Sequence, residues 1–570
     1  MRDFHIKNGT TKDMLIWLRN YRRDLLAGDI GAGIIVTLMM IPQSMAYALV
    51  AGLPPVTGLY ASILPPVAYA LFGSSMVQSV GPMAITSLMI GTALATLAPQ
   101  GSALSMVLAG QMALIAGAIL FLSGVFRLGF VAGFLSRPVM SGFTTGAALL
   151  IASGQLGPLL GGPLANSHLP SAIIGLASLL ALWLAKTYLA RALAALGASG
   201  KVAEMLTKLA PVVVLIAATA AVAALDLAAA GVKVVGEIPA GLPALALAVS
   251  AEHWQPLLMP SLLIAFMIFL SSQSAAQSLA HRRGERIVSN RELLGLGAAN
   301  LASAVSGGFA VTGSISRSAV NYAAGANTPL ASVISAGLIV LALLVPTTWI
   351  SWLPLPALAA TIILAVLGMI DFATLRDAWR HDRSDAAALL ATTAGVLVFG
   401  VEQGVILGVV LSLATVIWRA SRPHIAVIGR IPGSEHFRNV KRHQVETLPE
   451  VLMLRIDADL FFGNVDAIVD HLEQLLKERT ANGQVTRDVV LVMSAVSSID
   501  TTGLYLLNEI NRSLLGQSIK MHLSEVKGPV MDRLQRSELL KQGLGGQVFL
   551  STAAAFSYLT EQAAQETWSI

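Results

Sequence analysis

The sequence predicts a polytopic α-helical membrane protein with a small α/β domain behind it, and three observations carry that class. Of its 570 residues 55% are hydrophobic and only 12% charged, with a mean hydropathy of +0.71; soluble domains carry about twice that charge fraction. Apolar segments follow one another from about Ile30 to about Trp418, separated by Gly/Pro turns or short charged clusters. After Arg422-Pro423 the composition changes, and short apolar runs alternate with amphipathic ones.

Residues 1–28 are polar and basic with no small-residue cleavage site. They read as a cytoplasmic N-terminal segment and not as a signal peptide. Met14, Ile16, Trp17 and Leu18 among Arg19, Arg22 and Arg23 predict a short interfacial helix there.

Residues 29–422 form the expected transmembrane domain, divided into fourteen segments, several of them short for a span of about 20 residues. The charged clusters fix its topology. With the N-terminus inside, Arg127 and Arg137 share an inside loop; Lys186, Arg191, Lys201 and Lys208 share the next. Arg282, Arg283, Arg286 and Arg291 follow, then Arg376, Arg380 and Arg383, while outside loops hold almost no basic residue except Lys233. That partition obeys the positive-inside rule and puts both termini in the cytoplasm.

Polar breaks recur within this domain. Gln43-Ser44-Met45-Ala46 lies just past Pro42, and Gln273-Ser274-Ala275-Ala276 is expected to interrupt a later helix; residues 43 and 273 are 230 apart. The Gly-broken stretch at Gly81 has its counterpart at Gly313, 232 residues on. Two breaks at nearly one offset argue for two related halves of seven helices. An odd number of spans inverts the second half, and inverted repeats with broken helices hold their site near the midplane.

The second break carries the chemistry. Ser314, Ser316 and Ser318 surround Arg317, an arginine in a stretch that otherwise reads as membrane. An arginine at membrane depth costs a few kcal/mol or more and faces a cavity or a partner. If a helix starts near Ser314, its free N–H groups carry about half a positive charge. Guanidinium, hydroxyls and N–H groups together make a cradle for an anion.

Residues 423–450 read as a polar linker and 451–570 as a cytoplasmic α/β domain. Its expected elements are a strand over Val451–Phe462, a helix over Ala467–Lys477, a strand over 488–493 and a helix from Thr501. Strand, helix, strand and helix then follow near 518–523, 530–540, 548–550 and 553–562. Thr501 reads as the first residue after an Asp500 cap.

Other classes find no support. There is no cysteine, so disulfides and thiolate metal sites are excluded. His253 and His281 are isolated, so no metal site is expected. No nucleotide loop or nucleophile–base set implies an enzyme or a cofactor, and nucleic acid is not an expected partner. Trp352 and Trp418 sit near helix ends as interface anchors among the membrane lipids. Gln43 suits a cap for the break at Pro42 as well as a ligand contact.

Taken together, Ile41-Pro-Gln-Ser-Met-Ala-Tyr47, Gly52-Leu-Pro-Pro-Val-Thr-Gly-Leu-Tyr60, Gly81-Pro82, Asn290-Arg-Glu-Leu293 and Gly313-Ser-Ile-Ser-Arg-Ser318 resemble the sulfate permease (SulP) family of inorganic-anion transporters. The family includes the animal anion exchangers and prestin. The C-terminal part resembles its STAS domain, with Leu460-Phe-Phe462 and Ser498-Ile-Asp500-Thr-Thr-Gly503 at the recognisable turns.

The resemblance implies a 7+7 inverted repeat with core and gate domains and two half-helices meeting at the anion site. It implies a secondary transporter working by alternating access. Sulfate is the expected cargo, bicarbonate and chloride are the alternatives within the fold, and an anion channel or a STAS-output signalling module are the other readings. It also implies a homodimer in a bacterial inner membrane and a cytoplasmic protein as partner of the STAS domain.

Carried over residue by residue, the anion site comprises Gln43, Tyr47, Met83, Ser314, Ser316 and Arg317. Met83 replaces an aromatic residue of some animal members. Ser271 stands where many ion-coupled members carry an acid, so exchange or uncoupled transport is expected ahead of proton symport. Glu252 and Glu285 lie 19 residues before and 14 after it, about 28 and about 21 Å along a helix.

Overall fold

The computed structural model describes residues 16–19, 21–130, 136–163, 166–197, 199–236, 241–243, 245, 247, 250–345 and 351–568. It divides into two units, 1–412 and 413–570.

The first unit is helical. Its main segments are α1 (Leu26–Val50), α2 (Leu64–Phe72), α3 (Ala84–Leu94), α4 (Ala103–Val125), α5 (Arg137–Gly154), α6 (Leu169–Leu184) and α7 (Gly200–Ala224). After them come α8 (Trp254–Arg283), α9 (Ser289–Val305), α10 (Ile315–Ala323), α11 (Leu330–Leu344), α12 (Leu355–Leu367) and α13 (Arg383–Phe399). The last, α14 (Val401–Ala420), runs on past residue 412. Nine helical stretches among the described residues are long and apolar enough to cross a membrane; α3 and α11 are shorter apolar helices.

Packing repeats when each helix is exchanged with the one seven places on. α1 packs on α11 as α8 packs on α4; α1 packs on α10 as α8 packs on α3. α4 lies against α9 as α11 lies against α2, and α5 against α13 as α12 against α6. Helices of each half therefore complete the other half, which is the intertwined inverted repeat. One apolar cluster joins Ile85 and Met89 of α3 to Met112 of α4, Ile268 of α8 and Leu296 of α9. A smaller one joins Leu182 of α6 to Ala359 and Ile363 of α12.

Two local expectations are corrected. α1 continues through Pro42, so Gln43 caps no break. Gln273–Ala276 lies inside unbroken α8; Gln273 Nε2 donates to Ser289 Oγ at 2.8 Å without opening the helix. The described part of the N-terminal helix, Ile16–Arg19, is tied to protein: Trp17 is buried and its Nε1 donates to the Ala70 carbonyl at 2.8 Å. Met14 lies outside the described residues.

The second unit is a six-stranded sheet flanked by helices. Its strands are β3 (Ile425–Arg430), β4 (Phe437–Asn439), β5 (Val451–Ile456), β6 (Asp488–Val492), β7 (Lys520–Ser524) and β8 (Val548–Phe549), in the order β4-β3-β5-β6-β7-β8. β5 to β8 run parallel, and β3 pairs antiparallel with both β4 and β5. Residues 423–450 are therefore not a linker. Ala426, Ile428 and Phe437 are buried, and Ile425 registers with Ile456. Asp500 caps the helix Thr501–Gly516 by accepting from Gly503 N at 2.7 Å.

Candidate functional site

Two strands of two residues each cross in the first unit: β1 (Val80–Gly81) and β2 (Thr312–Gly313). They pair antiparallel, Val80 opposite Gly313 and Gly81 opposite Thr312. Both crossing glycines lie in close quarters: a Cβ on Gly81 would displace the Met40 methyl, and one on Gly313 would strike the Gln78 amide and Ser272. Behind the strands, Gln78 Nε2 donates to Ser272 Oγ, Ser314 N to the Ser79 carbonyl at 3.1 Å, and Ser79 N to Ser318 Oγ at 2.9 Å.

From this crossing two half-helices start. α3 begins after Met83, which is extended, half-buried and offers no side-chain cap. α10 begins after Ser314, whose Oγ accepts from Arg317 N at 3.4 Å. Neither first turn holds an acidic residue, so the positive ends of both helix dipoles stay uncompensated.

Arg317 is 1% exposed. Its Nη1 donates to the Pro82 carbonyl at 2.8 Å, which joins α10 to the loop entering α3. Nε and Nη2 are buried without a hydrogen-bond partner, and no carboxylate pairs with this side chain among the described residues. A buried guanidinium left this way has donors aimed at something the chain does not supply. Ser314 is buried; Ser316 is exposed, with the two hydroxyls 3.2 Å apart.

The other expected residues divide into two groups. Gln43 and Tyr47, one turn apart on α1, line a cleft bounded by α6, α7 and α12. Tyr47 is 8% exposed, and Gln43 is half-buried. Ser271 stands behind the crossing: its Oγ donates to the Met267 carbonyl at 2.8 Å and lies 3.1 Å from Thr312 Oγ1. Among the described residues no group of His, Asp and Glu could hold a metal ion.

Sequence reasoning missed two residues. Glu292 on α9 is fully buried. It accepts from Tyr69 OH at 2.8 Å, Ser74 N at 2.9 Å and Ser74 Oγ at 2.6 Å. Tyr69 OH also lies 3.1 Å from Gln78 Oε1, so this carboxylate anchors the loop that delivers β1. Lys186, expected in a loop, sits in a π-helical turn, Ala185–Leu189, that continues α6 and lines the same cleft as Gln43 and Tyr47.

Comparison with known proteins agrees with this architecture. The sulfate permease family model matches residues 26–392, and the STAS domain model matches residues 442–555. A probable sulfate transporter of Mycobacterium tuberculosis is 35% identical over 563 residues, covering 95% of this chain and 96% of its own. Sulfate transporter 4.1, chloroplastic, of Arabidopsis thaliana is 34% identical over 550 residues, covering 92% of this chain and 79% of its own. Among solved structures, the murine Slc26a9 anion transporter in its inward-facing state superposes with a TM-score of 0.85 at 21% identity, covering 98% of this chain and 96% of its own. The transmembrane domain of the cyanobacterial bicarbonate transporter BicA gives 0.57 at 21% identity, over 69% of this chain and 98% of its own.

Proposed function

This chain belongs to the sulfate permease family, and from that premise we propose that it carries a small inorganic anion across the membrane by alternating access, sulfate being its cargo. The observation that carries the reading is the buried Arg317, with two partnerless guanidinium nitrogens beside the N-termini of α3 and α10. An oxyanion in that space would gain charge-assisted hydrogen bonds from Arg317 and free backbone N–H groups, together with the field of two helix ends. Ser314 would add a hydroxyl, while Tyr47 and Gln43 would wall the route from the cleft. The contact is one-sided in charge, with no carboxylate among the described residues to compete for the arginine, so the anion can enter and leave.

The wider assignments rest on the same reading. Fourteen segments with the N-terminus inside put the basic clusters Arg282–Arg291 and Arg376–Arg383 on the cytoplasmic side. Both termini and the STAS domain are then cytoplasmic, in the inner membrane of a bacterium. The STAS domain is the surface for a homodimer or for a cytoplasmic protein partner. None of the candidate anion-site residues falls within 451–570, which supports a role in assembly or rate ahead of one in binding.

Purified protein in liposomes, tested with labelled sulfate, bicarbonate and chloride, examines the proposal. Saturable sulfate uptake that cold sulfate suppresses is the expected result. Saturable uptake of bicarbonate or chloride with sulfate inert would reassign the cargo. Failure of all three would remove the transport reading.

A further inference from the structure

Lys186 lines the cleft from the wall opposite α1. The cleft is a cavity of about 120 Å³ between Gln43 and Tyr47 on one side and Lys186, Pro211, Leu215 and Thr361 on the other. Lys186 is the one charged residue in that lining, and it has no ion-pair or hydrogen-bond partner among the described residues. The turn that carries this exposed lysine is π-helical, Ala185–Leu189, a distortion frequent at functional sites. Its ammonium lies beside Gly368 at the C-terminus of α12: a Cβ there would stand 3.5 Å from Nζ. The free carbonyls of that helix end favour the charged amine without neutralising it.

We infer that Lys186, on the continuation of α6, is a second cation for the transported anion in addition to Arg317 on α10, and that the pair weights the pathway toward doubly charged anions. The inference rests on the anion-transport reading above. Its physical content is the charge product in Coulomb's law. A positive charge at a given distance attracts a dianion with twice the energy it offers a monoanion. Removing it therefore multiplies the two dissociation constants by factors of which one is the square of the other. A lysine that merely extends its ammonium to the membrane surface, as long basic side chains near helix ends do, would leave both constants alone.

The test uses the full-length protein in liposomes, with the wild type, Lys186→Gln and Lys186→Arg. Labelled sulfate uptake gives KM and kcat; unlabelled chloride and nitrate, as competitors, give inhibition constants for monoanions. Lys186→Gln should raise the sulfate KM on the order of tenfold and the monoanion constants roughly threefold, with kcat within about twofold and Lys186→Arg close to wild type. A sulfate KM unchanged in Lys186→Gln overturns the inference. So does an equal shift for both charge classes, or a loss confined to kcat. Should Lys186→Gln fail to give monodisperse protein, Lys186→Met and Lys186→Ser, which also remove the charge, carry the same comparison. A wild type inert toward every inorganic anion overturns the transport reading itself, whereas an active wild type with an indifferent Lys186→Gln overturns only the assignment of Lys186.

Discussion

Replacing Arg317 by alanine should weaken anion binding by about two to four orders of magnitude while leaving the protein folded. The size follows from the guanidinium's contacts. Nη1 is committed to the Pro82 carbonyl, and Nε and Nη2 are free. Each hydrogen bond from a charged donor is worth about 1.5–3 kcal/mol, so losing two costs about 3–6 kcal/mol. At about 1.4 kcal/mol per factor of ten, that is roughly 10²- to 10⁴-fold in Kd. Folding moves the other way in part, because alanine removes a buried charge without a counter-ion as well as the link to Pro82. Sulfate uptake in liposomes, paired with a sulfate-dependent melting shift in detergent, separates affinity from stability. Arg317→Lys should recover part of the affinity, since it keeps the charge and loses the planar fork. A well-folded Arg317→Ala protein binding sulfate at wild-type strength would refute the reasoning.

Three further outcomes are expected. Ser271, bonded to its own helix and beside Thr312, is a hydroxyl that does not ionise and so cannot carry a proton as a carboxylate does, and an inward proton gradient at clamped voltage should not concentrate the anion; gradient-driven accumulation would place a proton carrier elsewhere. Glu292→Ala leaves the Ser74 donors unpaired in a fully buried place and Tyr69 with Gln78 alone, and should cost about 2–4 kcal/mol, read as a lower denaturation midpoint, with Tyr69→Phe costing less. In the second unit, burial pushes the Asp459 carboxyl up, but the N–H groups of Ser497 and Ser498, with Lys527, outweigh it and hold the group below its ordinary value. Its stabilising contribution is therefore present above the unfolded-state value, about 3.9, and is lost as pH falls through the lower folded one; amide protection at Ser497 and Ser498 should fall with acid in the wild type and be low and flat in Asp459→Asn.

What the sequence disclosed and what it hid have separate physical causes. The breaks at Gly81 and Gly313 were legible because polar, glycine-bearing turns inside apolar segments have few structural explanations, and the structure puts both at one crossing. Arg317 was legible for the same reason. Gln273 misled because a Ser/Gln tract need not open a helix when neighbours such as Ser289 take up its hydrogen bonds. Glu292 was hidden by distance: Tyr69 and Ser74 are more than 200 residues away in the chain. Lys186 was hidden because a lysine near a helix end points to solvent or into a cleft according to packing, here a single π-helical turn. The strands Ile425–Arg430 and Phe437–Asn439 were hidden by brevity, since strands of six and three residues carry too little alternation to stand out from a polar stretch.

The central claim, an anion held between two half-helix ends by Arg317, is tested most directly by locating the anion. Selenate, a heavier relative of sulfate with a distinct anomalous signal, can be introduced into crystals of the full-length protein. The account predicts one strong peak within hydrogen-bond reach of Arg317 Nη2 and of the backbone N–H groups at the starts of Ala84–Leu94 and Ile315–Ala323, absent in Arg317→Ala. A dominant peak away from that crossing, or one that persists in Arg317→Ala, would contradict it.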